Sequence, residues 1–128
     1  MSGSAIVIGV GAPAGLGAAL CRRFASEGLQ VYAAARTREK LERVADQIAS
    51  AGGSAVPVVV DTTGEEEVIR LYDTVEDLGC APEIVVYNAG NNEFRHLLEM
   101  DAQFWEKLRR LCCFGGFLFG REAARRML

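Results

Sequence analysis

Gly9-Val10-Gly11-Ala12-Pro13-Ala14-Gly15-Leu16-Gly17 is the stretch on which the reading of this chain turns. It separates two periodicities. Before it, Ala5-Ile6-Val7-Ile8 is apolar at every position, the pattern of a strand covered on both faces. After it, Leu16 to Glu27 carries Leu16, Leu20 and Phe24 at helical spacing, and Gly28 supplies a stop. At such a turn a Cβ would hold an anion's oxygens away from the backbone N–H groups of the helix N-terminus. Glycine there also lets a helix pack close to a sheet. The stretch predicts a phosphate-binding turn; a tight turn without a ligand is the plainer alternative.

Working outward, strand and helix patterns alternate four times. Val31 to Ala34 reads as a second strand, and Thr37 as the N-cap of a helix with Leu41, Val44, Ala45 and Ile48 on one face, ending before Gly52-Gly53. Ala55 to Val60 is a third strand. Thr63-x-x-Glu66 has the capping-box pattern ahead of a helix striped by Val68, Leu71, Tyr72 and Val75. Ile84 to Tyr87 is the fourth strand, and Asp101 caps a last helix with Phe104, Leu108 and Leu111 on one side. Crossovers of this kind give an α/β fold, a doubly wound parallel sheet with expected strand order 3-2-1-4. No repeat, linker or low-complexity stretch interrupts it, so residues 1–128 read as one domain.

Composition agrees. The chain has 128 residues, 50% hydrophobic and 24% charged, with a formal net charge of -3. That is one globular domain, too apolar to be disordered. Its pI of about 5.2 argues against a dedicated nucleic-acid binder. No apolar run approaches the roughly 20 residues of a membrane span, and Met1-Ser2-Gly3-Ser4 has no basic n-region, so neither a membrane nor a signal peptide is expected. Cys21, Cys80, Cys112 and Cys113 lack Cys-x-x-Cys spacing. They predict buried thiols in a reducing cytoplasm and no metal site, with redox sensing at Cys112-Cys113 left open.

Val10-Gly11-Ala12-Pro13-Ala14-Gly15-Leu16-Gly17 resembles the Thr-Gly-x-x-x-Gly-x-Gly loop of the short-chain dehydrogenases/reductases, with Val10 in the threonine position. Asp61-Thr62-Thr63 resembles the family's adenine-contacting aspartate, and Tyr87-Asn88-Ala89-Gly90 its Asn-Asn-Ala-Gly segment. Phe114 to Met127 is similar to its long helix. The resemblance covers nearly the whole chain and implies a Rossmann-type dinucleotide-binding domain. It implies cofactor contacts at Gly11, Gly15, Leu16, Gly17, Asp61, Asn88, Ala89 and Gly90. It also implies a small carbonyl or alcohol substrate, and an oligomer formed partly through the last helix. Asn88 has turn chemistry as its plainer alternative.

The choice of dinucleotide rests on Ala33-Ala34-Ala35-Arg36-Thr37-Arg38. An acid at the end of the second strand would bond the ribose 2′-OH of NAD and repel the 2′-phosphate of NADP. No acid stands here, and a guanidinium grips phosphate with two parallel bonds. NADP is the preferred cofactor, with Arg36 first and Arg38 second as its ligand; NAD is the alternative.

The family's catalytic residues are a Tyr-x-x-x-Lys pair with an upstream serine and a supporting asparagine. Tyr32, Tyr72 and Tyr87 are followed four residues on by Arg36, Glu76 and Asn91, and alignment on Gly115 puts Cys112 at the asparagine position. No catalytic residue is assigned. The helical pattern at Leu128 has no cap, and a fourth strand on an open edge looks unfinished.

Three functions stay in play. The first is an NADP(H)-dependent short-chain oxidoreductase of which this is the cofactor-binding half, cut before the catalytic Ser/Tyr/Lys region. The second is a non-catalytic dinucleotide-binding or regulatory module acting through oligomers. The third is an interaction protein using its basic helix, which holds Lys107, Arg109, Arg110, Arg121, Arg125 and Arg126. His96, the one histidine, reads as an ordinary loop residue.

Overall fold

The computed structural model describes residues 3–79, 82–91 and 93–128; Cys80 and Asn92 lie outside them. Four parallel strands, β1 (Ser4–Ile8), β2 (Gln30–Ala35), β3 (Ala55–Val59) and β4 (Pro82–Tyr87), lie in the order β3-β2-β1-β4, as expected. The helices are α1 (Leu16–Ser26), α2 (Arg38–Ser50), α3 (Glu65–Asp77), α4 (Ala102–Arg109) and α5 (Gly115–Met127), with one 3₁₀ turn at Leu97–Glu99. The register pairs Val7 with Ala33 of β2 and Val86 of β4.

Alternation along the strands divides the core. Ile6, Ile8, Tyr32 and Ala34 pack with Val68, Leu71, Tyr72 and Val75 of α3 and Leu118 and Phe119 of α5. Val7, Val31 and Ala33 face the other way, onto Ala18, Cys21, Leu41, Val44 and Ile48 of α1 and α2. Only β1 and β2 are buried along most of their length. β3 and β4 are half-buried edges, and the edge is where Pro57, which has no N–H to give a neighbour, is tolerated.

Four local expectations are corrected. The first concerns Cys112 and Cys113, which are exposed and not buried. In α1 the buried residues are Gly17, Ala18, Cys21 and Ala25, while Leu16 is 64% exposed. Small residues win that face because the helix lies against the loop: a Cβ on Gly17 would stand 2.5 Å from the Gly9 carbonyl oxygen. Burial pushes the Cys21 thiol up to about 12.

Thr63 does not form a capping box. The N-cap of α3 is Gly64, without a side-chain bond. The Thr63 N–H and hydroxyl donate instead to Asp61 Oδ1, at 2.9 and 2.8 Å. Thr37 does hold the N-cap position of α2, also without a side-chain bond.

The last helix starts where expected, with Asp101 Oδ1 accepting from the Phe104 N–H at 2.7 Å. It is then interrupted by a π-helical turn, Arg110–Phe114, between α4 and α5. No helix among the described residues is long and apolar enough to cross a membrane.

Candidate cofactor-binding site

β1 and β4 are neighbours whose onward connections diverge, and a crevice opens at their carboxyl ends. Gly9 leaves β1 at φ +97°, a left-handed conformation that glycine adopts without strain. A Cβ there would stand 2.5 Å from the Ala89 nitrogen. Asn88 locks the junction from both sides. Its N–H donates to the Ile8 carbonyl at 2.7 Å, and its Nδ2 donates to the Gly9 carbonyl at 3.1 Å. The Gly9 and Val10 N–H groups in turn donate to the Ala34 carbonyl of β2. The loop is thus tied to three adjacent strands.

A cavity of about 320 Å³ lies over this junction, lined by Gly9, Val10, Gly11, Ala35, Arg36, Thr37, Lys40, Thr62, Asn88, Ala89, Gly90 and Leu111. The site residues expected from sequence that meet here are Gly11, Arg36, Asn88, Ala89 and Gly90. Gly15, Leu16 and Gly17 stand alongside at the N-terminus of α1. No side chain caps that helix and no acid stands in its first turn, so its first amide hydrogens lack intrahelical acceptors. A Cβ on Gly11 would project into open space, so no packing inside the protein demands a glycine there.

Arg38 departs from the expectation. It points along α2 towards Glu42, 3.9 Å away, and does not line the cavity. Lys40 does, from the first turn of α2, and sequence reasoning missed it. The signal was present as a second cation at the start of α2.

Asp61 lines an adjoining cavity of about 520 Å³, which shares Arg36, Thr62 and Leu111 with the first. The two Thr63 bonds hold its carboxyl below the usual carboxylate range, with Arg36 and Arg110 adding to the effect.

None of the chain's tyrosines offers a free hydroxyl to the cleft. Tyr32 is buried in the core. The Tyr72 hydroxyl donates to the Phe119 carbonyl at 2.9 Å, and burial raises its pKa. The Tyr87 hydroxyl donates to the Leu111 carbonyl in the π turn, and burial raises its pKa too. His96 Nδ1 accepts from the Leu98 N–H at 3.3 Å in an exposed loop. Of the six basic residues after 102, Arg109, Arg121, Arg125 and Arg126 are in ion pairs, the last with Asp73, Glu76 and Glu122. No group of three or more His, Cys, Asp or Glu side chains suited to a metal ion occurs among the described residues.

Comparisons with known proteins give this geometry a context. Residues 5–128 match the family model described as short chain dehydrogenase. Dehydrogenase/reductase SDR family member 11 of Gallus gallus is 27% identical over 95% of this chain and 49% of its own. Versicolorin reductase stcU of Emericella nidulans is 32% identical over 95% of this chain and 47% of its own. Among solved structures, a short-chain dehydrogenase from Rhodopseudomonas palustris superposes with a TM-score of 0.88 at 34% identity, covering 98% of this chain and 57% of that one. An actinorhodin polyketide ketoreductase with NADPH superposes with a TM-score of 0.90 at 25% identity, covering 98% and 47%. The chain spans about half the length of the curated relatives it matches.

Proposed function

The chain belongs to the short-chain dehydrogenase family, and from that premise we propose that it is the dinucleotide-binding half of an NADP(H)-dependent oxidoreductase acting on a small carbonyl or alcohol. The observation that carries this reading is the crevice at the ends of β1 and β4, with a glycine floor and Arg36 at its rim. Three features fit a dinucleotide: the uncapped α1 N-terminus for a pyrophosphate, the open space above Gly11, and Arg36 without an acid beside it at the end of β2.

In this reading Gly11, Gly15, Leu16 and Gly17 present amides to the pyrophosphate, and Arg36 grips the 2′-phosphate. Asp61 takes the adenine edge, while Asn88, Ala89 and Gly90 bound the far side of the crevice. The bound nicotinamide supplies the hydride chemistry. This chain's residues bind and orient it and keep the crevice shaped; proton exchange at the substrate falls to a Tyr/Lys pair outside these 128 residues. We place the protein in the reducing cytoplasm, where the free thiols of Cys112 and Cys113 persist, and expect a homo-oligomer.

Calorimetric titration tests the cofactor. NADPH should bind at least tenfold more tightly than NADH, and Arg36→Ala should sharply reduce the difference, since a charge-assisted bidentate contact is worth about 1.5–3 kcal/mol. Equal affinities in the parent chain would defeat the NADP assignment. A second reading, a non-catalytic dinucleotide-binding module, draws on Cys112 at the asparagine position and on three tyrosines with committed or buried hydroxyls. A coding frame that stops at Leu128 would favour it; one that continues into Tyr-x-x-x-Lys would favour the enzyme.

A further inference from the structure

The cavity beside the crevice has one wall from the segments that follow β2 and β3 and one from α4 and the π turn. Arg36 and Asp61 stand on the sheet side, Glu106, Lys107 and Arg110 on the helical side. Both carboxylates are already engaged: Asp61 by Thr63, and Glu106 by Arg109, whose Nε lies 2.9 Å from Oε2. The three cations are in no ion pair among the described residues. The ion pairs among the described residues involve Arg23, Arg38, Arg95, Arg109, Arg121, Arg125 and Arg126, and none involves Arg36, Lys107 or Arg110.

The π turn determines which face of α4 meets this cavity. An extra residue in a helix rotates everything before it by about 100° relative to everything after it. α5 is anchored by Leu118 and Phe119 in the core, so the rotation falls on α4. The turn is pinned from the sheet, where the Tyr87 hydroxyl holds the Leu111 carbonyl. Gly115 is buried beneath Tyr87, leaving no room there for a Cβ. The outcome is that Lys107 and Arg110, three residues apart, look over the cavity that Arg36 enters from the other side. Arg110 also rests on the Phe114 ring, 4.8 Å from its centroid, which limits its freedom.

We propose that Arg110, seconded by Lys107, is a further specificity-determining residue of the cofactor site, acting on the adenosine phosphate from the helical wall while Arg36 acts from the sheet. This rests on the NADP(H) reading above. A phosphate monoester at that position carries close to two negative charges, more than one guanidinium neutralises, whereas a bare ribose hydroxyl gives Arg110 nothing to pair with.

The test uses the adenosine end of the cofactor alone, titrating 2′,5′-ADP and 5′-AMP into the parent chain and into Arg36→Ala, Arg110→Gln and Lys107→Gln variants. Arg110 and Lys107 are exposed, so these variants fold as the parent does, and circular dichroism checks this. Arg110→Gln should weaken 2′,5′-ADP about tenfold and leave 5′-AMP within about twofold. Arg110→Lys should restore part of the loss, and raising salt should erase the difference between parent and variant. If Arg36→Ala weakens 2′,5′-ADP while Arg110→Gln does not, the inference is overturned and the NADP reading stands. Equal losses for both nucleotides would overturn it too, because Arg110 would then be acting on the adenine or on cavity shape. If the parent chain does not distinguish the two nucleotides, the NADP reading fails and takes this inference with it.

Discussion

Gly17 shows how a single residue acts in two ways. Its missing Cβ lets α1 settle against the carbonyl of Gly9, and it also keeps the helix N-terminus open. Gly17→Ala must push the helix away from backbone, which cannot yield as a flexible side chain would. The expected cost is about 1–3 kcal/mol, read as a lower midpoint in urea, together with weakened dinucleotide binding. Asp61 makes a pH prediction. Its folded-state pKa is depressed by Thr63, so its contribution is present above the ordinary carboxylate value of 3.8 and is lost as pH falls through the lower, folded value. Asp61→Asn should therefore flatten the acid limb of a stability-against-pH curve and leave the neutral region's slope unchanged.

The placement of most of these residues was legible in the sequence. A glycine row between strand and helix has few structural uses, and Arg36 without a neighbouring acid follows from the end of β2. Arg38 lies off the cavity although both arginines flank the same turn. With Thr37 as the cap, Arg36 precedes α2 and Arg38 begins it; what the sequence did not show is that i,i+4 pairing with Glu42 turns Arg38 along the helix.

At the scale of elements, the π turn decides the outcome for the last helix. Its pattern was invisible in the sequence, since Phe104, Leu108, Leu111, Gly115, Leu118 and Glu122 step by three and four as an unbroken α-helix would. The sign of the interruption is three-dimensional: Tyr87 in β4 offers a hydroxyl to Leu111, and Gly115-Gly116 make room for its ring. Tyr87→Phe should release that carbonyl and favour a regular helix. The expected loss is about 1 kcal/mol of stability, with altered protection of the 110–115 amides in hydrogen exchange as the direct check. The Thr63 misreading has a similar origin. A threonine three residues before a glutamate satisfies the capping-box pattern, but an aspartate two residues earlier competes for the same donors and wins.

For the whole molecule, one sheet with two cores sets what the chain tolerates. Phe119 joins α5, α3 and β4, touching the rings of Tyr72 and Tyr87 at centroid distances of 6.2 and 5.5 Å. Phe119→Ala should cost about 3–5 kcal/mol, a large share of the about 5–15 kcal/mol by which an ordinary domain is stable, read as a lower midpoint of thermal unfolding. NADPH at one hundred times its Kd should return about 2.7 kcal/mol, visible as a rise of several degrees in the midpoint of thermal unfolding. The strand order was readable because four apolar runs separated by amphipathic helices leave few right-handed arrangements. The unequal burial was not, because the runs of β3 and β4 are as apolar as those of β1 and β2 although each ends up at an edge.

The Asn88 clasp on Gly9 has a kinetic corollary. With the two strand ends fastened by hydrogen bonds at 2.7 and 3.1 Å, the crevice has no slack to take up when a dinucleotide arrives, and little chain entropy is surrendered on docking. Stopped-flow mixing with NADPH should give one exponential whose rate climbs linearly with nucleotide concentration and never levels off, the trace of a lock that is already cut to its key. Asn88→Ala, by removing the side-chain half of the clasp while the backbone bond to Ile8 remains, should introduce a plateau.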